Sequence, residues 1–263
     1  MNTSHPATDT PGPPYRPVAD RLARLTAGRI LAGERVVAAA RAAGAGAVLV
    51  IGSLAERRGD AFSDLDLLIV TGPGYTGLEA TRLFGSQLLT QVTEQPGAAP
   101  RGGCHTGICL KVAGVALWLD LVQWPAATAA LPADSIIAYT LLDLPYSQLG
   151  YRNLLDHHAD PATPTPTPSA ATELRRVAEA AKHLARSNRR NITEQIPQAA
   201  GLPLHQIRPM LHQRLAAIDQ PAMAAAIAAT AALVDLADMN RTSCSADPTR
   251  RANHTTPEGK YLA

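Results

Sequence analysis

Short apolar runs bounded by glycine, proline or polar residues recur through the first half of the chain. Ala47 to Ile51 and Ser63 to Val70 are rich in Val, Ile and Leu, and Ile108 to Val112 and Val115 to Trp124 flank the pair Ala113-Gly114. Runs of this length and composition are typical of buried strands, and the last two indicate a β-hairpin. The pattern therefore predicts four strands of one sheet.

Apolar residues spaced three or four apart predict helices around these strands. One helix or a pair of helices is predicted at Val18 to Ala43, and further helices at Tyr75 to Thr93 and Ala133 to Leu144. A polar continuation runs from Tyr146 to His158. Strands interspersed with helices predict an α/β (α+β) fold.

A Pro/Thr-rich segment at 160–168 is the clearest predicted domain boundary, because such a sequence is typical of a semi-rigid linker. Beyond it we expect only helices, at Ser169 to Thr193 with Ser169 or Thr172 as the cap, at Leu204 to Ile218 and at Met223 to Met239. These helices predict a C-terminal bundle. The predicted organisation is a disordered segment at 1–17, a sheet domain at 18–159, the linker, a helical domain at 169–240 and a flexible tail at 241–263.

The composition limits the classes of partner. The net charge is +2 among 263 residues, too small for the basic surface of a typical nucleic-acid-binding protein. The three cysteines are odd in number and lack metal-binding spacing, which favours a reduced, cytoplasmic environment. The N-terminal segment lacks the apolar core of a signal peptide, and the longest apolar stretch, Ala222 to Val234, is short for a membrane span.

Two acids at the start of the second strand are the first candidate site residues. Asp64 and Asp66 are two residues apart, so on a strand they point to the same face. Adjacent carboxylates at a buried edge are unfavourable unless a cation lies between them. Carboxylate oxygens are the ligands that Mg²⁺ prefers, and substrate phosphates usually complete its coordination. The pair therefore predicts a magnesium site.

The loop after the first strand predicts a phosphate site beside these acids. Ser53 and Glu56 have the spacing of a capping box, so a helical turn should begin at Ser53 with its backbone N–H groups facing the strand end. Gly52 allows close approach of a backbone, and Arg57 and Arg58 lie one turn further on. Asp120, an acid within the last predicted strand, is a candidate third metal ligand, and the alternative is a buried acid paired with an arginine.

These residues resemble the nucleotidyltransferase superfamily with the polymerase-beta-like fold. The resemblance rests on Gly52-Ser53, the pair Asp64 and Asp66 after ten intervening residues, and Asp120 on a later strand. The resemblance covers residues 45–125. Within it, the loop that begins at Gly52 is similar to that of the aminoglycoside and minimal nucleotidyltransferases. The resemblance implies a mixed sheet with flanking helices in a nucleotidyltransferase domain, followed here by the helical domain.

The resemblance also implies an activity and residue roles. A nucleoside monophosphate would pass from an NTP such as ATP to a hydroxyl of a small molecule, with an aminoglycoside-like compound as one candidate, and pyrophosphate would be released. Gly52 and Ser53, with Arg57 and Arg58, would contact the nucleotide. Asp64, Asp66 and Asp120 would hold one or two Mg²⁺ ions and carry the catalysis.

Two questions stay open at this point. The base that deprotonates the acceptor is Asp120 itself or one of three acids of the helical domain, Glu173, Glu179 or Glu194. The alternative function is a minimal-nucleotidyltransferase antitoxin that nucleotidylates or binds a protein partner. It draws on the family resemblance and on Arg176 and His183, whose seven-residue spacing resembles the Arg-x6-His pattern of HEPN-type nuclease toxins.

Overall fold

A computed structural model describes residues 16–94, 99–159 and 169–246 of the chain. The described residues form one six-stranded mixed sheet and eight α-helices, an α+β architecture. The strands are β1 Ala45–Ile51, β2 Leu65–Thr71, β3 Leu88–Glu94, β4 Cys104–Val112, β5 Val115–Pro125 and β6 Ile136–Thr140. The helices are α1 Arg16–Ala42, α2 Gly52–Ala55, α3 Ala80–Phe84, α4 Tyr151–His158, α5 Ala170–Ala185, α6 Arg189–Gln195, α7 Leu204–Ala216 and α8 Ala224–Ala246.

The sheet has the strand order β3-β4-β5-β2-β1-β6. Its one parallel pair among the described strands is β2 with β5, and all the other neighbours are antiparallel. All four predicted strands are present, and β4 and β5 form the predicted hairpin around Ala113-Gly114. The parallel pairing sets the start of β2 beside the middle of β5, and both strands carry an acid there.

The predicted helix from Tyr75 to Thr93 is wrong except at residues 80–84, since residues 75–79 are not helical and residues 85–94 form a turn and a strand. Helix α3 ends at Phe84, a short 3-10 turn spans Gly85–Gln87, and residues 88–94 form strand β3 along β4. Gly85 adopts a positive φ of 51°, a conformation that ends an α-helix and that glycine favours. The β-branched Thr90, Val92 and Thr93 then suit a strand that can pair with β4.

The predicted helix from Ala133 to Leu144 is also wrong. Residues 136–140 form the edge strand β6, which pairs with β1 through Ile136 opposite Val50. Its sequence, Ile-Ile-Ala-Tyr-Thr, is rich in β-branched and aromatic residues, and pairing with the buried β1 outweighs the helical spacing. The polar continuation after it contains helix α4.

The C-terminal segment is helical as predicted, with two differences. Ser169 caps α5 by accepting a hydrogen bond from the Thr172 backbone N–H, but the predicted helix to Thr193 divides into α5 and α6. Ser187, between them, has a φ of 55°, which is incompatible with a continuous helix. Residues 241–246 continue α8 and so are not the flexible tail that the sequence predicted.

One hydrophobic cluster joins the two predicted domains. It contains Val50 and Leu67 from the sheet, Val36 from α1, Leu174 from α5 and Leu233 from α8, all buried. A smaller cluster, which includes Leu49, Leu68, Val122, Trp124 and Leu154 of α4, covers the opposite face of the sheet. The predicted disordered segment up to residue 15, the linker at 160–168 and residues 247–263 lie outside the described residues, and the domain boundaries stay predictions.

Residues Pro221–Ser243 form the one described helical stretch that is long and apolar enough to cross a membrane. In the most apolar part of it, 44% of residues are buried inside the protein. Core helices of soluble proteins have the same length and composition, so this stretch is evidence neither for nor against a membrane location. The cytoplasmic location stays a prediction.

Candidate active site

A cavity of about 820 Å³ lies against the inner strands of the sheet, between α2, α4 and α5. Its lining includes six residues of the predicted site, namely Gly52, Ser53, Arg58, Asp64, Asp66 and Asp120. Arg57, the seventh, does not line it and has a positive φ of 58° in the turn after α2. The fold thus brings the three predicted acids and the Gly-Ser pair to one cavity.

The parallel pairing of β2 and β5 sets two of the acids side by side. Asp66 is in register with Asp120, and both belong to the sheet face that is covered by α4. Asp64 directly precedes β2 rather than lying within it. Arg29 of α1 donates one hydrogen bond of 2.7 Å to the carbonyl of Asp60 and another of 2.7 Å to that of Ser63. These bonds fix the loop that presents Asp64.

Gly52 lies against Asp66 at the end of β1. A Cβ atom on Gly52 would lie 2.3 Å from Oδ2 of Asp66, and its φ is 69°. A side chain at this position would therefore force the Asp66 carboxylate to shift, and the positive φ would strain any residue other than glycine. The absence of a Cβ leaves the Asp66 carboxylate open to the cavity.

The expected capping box is wrong. Helix α2 begins at Gly52 with Ile51 as its N-cap, and no side chain caps it. Glu56 instead accepts a hydrogen bond of 2.8 Å from Nε of Arg58, whose side chain is 68% exposed. Ser53 still lines the cavity, and its contact with a phosphate stays a prediction.

Asp120 is held by two side chains, His105 and Arg175, that the sequence analysis did not assign to the site. His105 Nε2 lies 3.2 Å from its Oδ1, and Arg175 Nη2 donates a 2.8 Å hydrogen bond to its Oδ2. Burial raises the pKa of Asp120, but the hydrogen bond with His105 and the charge of Arg175 outweigh burial and leave that pKa below its usual value. Asp120 is therefore ionised at neutral pH.

Asp64 has a different environment. Its Oδ2 accepts a hydrogen bond from Nζ of Lys182, which also donates to Oε1 of Glu179 at 2.6 Å. Its Oδ1 is buried and has no hydrogen-bond partner within the described part of the chain. Burial raises the pKa of Asp64 well above its usual value despite the opposing charge of Lys182. Burial, together with the charge of Asp120, raises the pKa of Asp66 to about 7.

One face of α5 carries the cations that contact these acids. Arg175, Glu179, Lys182 and Arg186 follow one another at intervals of four, three and four residues, the spacing of a single helical face. Arg186 donates two hydrogen bonds of 2.8 Å to the carboxylate of Asp60. We call these four residues the charged face of α5. Its helical spacing was visible in the sequence, but its partners were not.

Among the three acids considered as bases in the helical segment, Glu179 lines the cavity. Glu173 accepts a 2.6 Å hydrogen bond from Arg214, and Glu194 accepts one of 2.9 Å from Arg190, and neither acid lines the cavity. Burial raises the pKa of Glu179, but Lys182 outweighs it and lowers that pKa to about 2. Glu179 is therefore a carboxylate at neutral pH.

The opposite wall of the cavity is helix α4 with the loop before β6. Asp134 accepts a 2.7 Å hydrogen bond from the backbone N–H of Tyr151, which fixes the start of α4. Tyr151, Arg152 and Asp156 all line the cavity. The Tyr151 hydroxyl is buried without a hydrogen-bond partner among the described residues, and burial raises its pKa. This wall therefore presents polar and charged side chains to the cavity.

The acids suit a divalent cation by their chemistry. Within the described ranges, no three His, Cys, Asp or Glu side chains are already grouped as a metal site. However, three carboxylates line one cavity, and one of their oxygens is buried without a hydrogen-bond partner among the described residues. Burial raises the pKa values of two of them, Asp64 and Asp66, because it disfavours the charged form. A bound Mg²⁺ would supply the missing positive charge.

The sequence matches no protein-family model, and its comparison with curated proteins gives no match either. The nucleotidyltransferase resemblance therefore rests on the site residues themselves. The antitoxin alternative has fewer residues in its support. Arg176 and His183 do not line the cavity, and Nδ1 of His183 is buried without a hydrogen-bond partner among the described residues.

Proposed function

We propose that this protein is a magnesium-dependent nucleotidyltransferase of the polymerase-beta-like type. It would transfer a nucleoside monophosphate from an NTP to a hydroxyl of a small molecule and release pyrophosphate. The observation that carries the proposal is the meeting of Asp64, Asp66 and Asp120 in one cavity beside Gly52 and Ser53. A fold that sets Asp66 opposite Asp120 on parallel strands supports it.

In this proposal Asp64 and Asp66 hold Mg²⁺, with Asp120 beside them. The bound ion would neutralise charge on the phosphate oxygens and so favour attack at phosphorus. Gly52 leaves the Asp66 carboxylate accessible, and Ser53 and Arg58 lie where they can contact the phosphates. His105 and Arg175 keep Asp120 ionised and fixed in orientation.

Glu179 is the proposed general base. It would accept the proton of the acceptor hydroxyl as that oxygen bonds to the α-phosphorus and the bond to pyrophosphate breaks. Both oxygens of Asp120 already accept hydrogen bonds, whereas Glu179 accepts one from Lys182 on Oε1, so Glu179 is the preferred candidate. Arg214 and Arg190 hold Glu173 and Glu194, the other two acids, outside the cavity.

The test uses radiolabelled NTPs with a panel of hydroxylated acceptors and Mg²⁺. Asp64→Asn should abolish transfer while the protein keeps its circular dichroism spectrum. Asp143→Asn, a matched change at an exposed acid outside the cavity, should leave transfer unchanged. Transfer that survives Asp64→Asn would contradict the assigned role of Asp64, and absence of transfer with any NTP would contradict the activity.

A second variant tests the base. Glu179→Gln should lower kcat about 10²–10⁴-fold with a small effect on KM for the NTP, because general-base catalysis is lost while the nucleotide contacts remain. Glu194→Gln is the control, since Glu194 lies outside the cavity. An unchanged kcat in Glu179→Gln would return the role to Asp120.

A further inference from the structure

Lys182 is a buried cation at the centre of the candidate site. The residue is 4% exposed, and its ammonium group contacts two acids at once, Asp64 and Glu179. Lys111, the other lysine within the described residues, is exposed on β4. A buried ammonium group requires such partners, because its transfer from water is otherwise very unfavourable. Lys182 therefore belongs to the site rather than to the general surface.

The carboxylate that binds Lys182 is also a proposed metal ligand. Lys182 donates a hydrogen bond to Oδ2 of Asp64, whereas Oδ1 is buried and has no hydrogen-bond partner in the described ranges. One oxygen of this group thus carries a cation of the chain itself, and the other has capacity for a further cation. This half-occupied carboxylate is the observation from which the inference starts.

An ammonium group and a divalent ion on the same carboxylate repel each other at close range. The repulsion is strong because the site is buried, where charges are poorly screened. Without a metal, Lys182 neutralises acids that would otherwise be left uncompensated. With a metal on Asp64, Nζ can withdraw and keep Glu179 as its partner, since it already donates to both.

We propose that Lys182 is a positioning residue that competes with the divalent metal for Asp64 and holds the acids together when no metal is bound. The inference rests on the proposed function only in taking Asp64 as a metal ligand. It follows that Lys182 weakens metal binding to the free protein and stabilises the metal-free fold. Both consequences can be measured without any turnover.

The first test uses the unaltered protein. The chain has three lysines, Lys111, Lys182 and Lys260, so the side-chain signals of isotope-labelled lysine can be assigned one by one. Titration with Mg²⁺ should shift the Lys182 signal in a saturable way and leave the Lys111 signal in place. A Lys182 signal that stays unchanged throughout the titration would overturn the proposal.

The second test compares Lys182→Gln with Lys111→Gln as its matched control. Calorimetric titration with Mn²⁺ should give an affinity about tenfold or more higher for Lys182→Gln than for the unaltered protein, because the competing charge is gone. Lys182→Gln should also melt at a lower temperature without metal and regain part of the loss with Mg²⁺. Lys111→Gln should change neither quantity. An equal or weaker Mn²⁺ affinity in Lys182→Gln would overturn the proposal.

The two proposals fail in different ways. If Lys182→Gln binds Mn²⁺ more tightly but no NTP is turned over, the competition stands and the nucleotidyltransferase function is wrong. If NTP turnover is found but Lys182 neither shifts with Mg²⁺ nor affects Mn²⁺ affinity, the function stands and the competition is wrong. Should Lys182→Gln fail to fold, the lysine signals of the unaltered protein decide the matter alone.

Discussion

A single missing side chain makes the Asp66 carboxylate accessible. Gly52 lies so close to Asp66 that a Cβ atom would be 2.3 Å from Oδ2, and its positive φ disfavours any other residue. The acids of the site also differ from one another in pKa, because each has different neighbours. Burial raises the pKa of Asp120, but its hydrogen bond with His105 and the charge of Arg175 outweigh burial and lower that pKa. For Asp66, burial and the charge of Asp120 both raise the pKa. At the scale of residues, environment rather than residue type sets the chemistry.

The substitution Gly52→Ala tests whether the missing Cβ atom makes the Asp66 carboxylate accessible. We expect a loss of about 1–3 kcal/mol in the free energy of unfolding, because a non-glycine residue is forced into a left-handed conformation, and a large loss of nucleotidyl transfer because Asp66 must move. Urea denaturation measures the first and the radiolabel assay the second. Gly72→Ala is the control, since a Cβ there meets nothing within 4 Å. Wild-type values in Gly52→Ala would contradict the argument.

At the scale of elements, helix α5 completes the site from the far side of the predicted linker. Its charged face contacts three acids of the sheet segment in turn, Asp120, Asp64 and Asp60. The Arg186–Asp60 pair at the end of this face joins α5 to the loop before Asp64. It therefore fixes an element of one predicted domain to the site loop of the other.

The Arg186–Asp60 pair should contribute to stability in a pH-dependent way. Burial raises the pKa of Asp60, but Arg186 outweighs it and leaves the folded-state pKa below its usual value. A lowered carboxyl pKa stabilises the fold above the unfolded-state pKa of about 4 and loses this effect as pH falls through the folded-state pKa. Arg186→Gln should thus cost about 0.5–1 kcal/mol at neutral pH after allowance for solvent screening.

Urea denaturation of the two proteins between pH 7 and pH 3 checks this expectation. The difference in unfolding free energy should be constant near neutrality and should shrink below about pH 4, where Asp60 takes up a proton. Arg190→Gln, which removes the more exposed pair with Glu194, is the control and should change little. A difference that grows toward low pH would contradict the role of Asp60.

At the scale of the whole molecule, the larger hydrophobic cluster makes the sheet and the C-terminal helices interdependent. Leu174 and Leu233 of the helices pack in the same cluster as Leu67 and Trp118 of the sheet. Both tryptophans, Trp118 and Trp124, lie on β5 and are fully buried. Their fluorescence therefore reports on the unfolding of β5 and of its packing, including the contact of Trp118 with Arg175 of α5, which allows coupling between the two segments to be measured.

Leu174→Ala, a change in α5, should shift the tryptophan transition of the sheet. We expect a loss of about 2–5 kcal/mol in unfolding free energy, as for other buried leucines, with the fluorescence and far-ultraviolet circular dichroism transitions coinciding. Leu141→Ala, at a side chain that is 77% exposed, is the control. Two separate transitions, with the fluorescence one unmoved by Leu174→Ala, would show that the segments unfold independently.

Local patterns predicted elements well where one periodicity was dominant. The continuous apolar runs of β1, β2 and the β4–β5 hairpin, and the capped start of α5 at Ser169, follow from residues close in sequence. The edge strands β3 and β6 were missed, because their leucine and isoleucine spacing also fits a helix. Their strand conformation comes from pairing of β3 with β4 and of β6 with β1. Such pairing depends on residues outside the segment and is not visible in its local spacing.

The sequence alone determined the candidate acids and the glycine beside them. The spacing of Asp64 and Asp66, the position of Gly52 after a strand and the place of Asp120 within another are local features that periodicity can interpret. Only the tertiary structure decided what neutralises these acids. Arg175 lies 55 residues from Asp120 and Lys182 lies 118 residues from Asp64, and contacts across such separations depend on how helices pack on the sheet. Local sequence spacing carries no information on that packing.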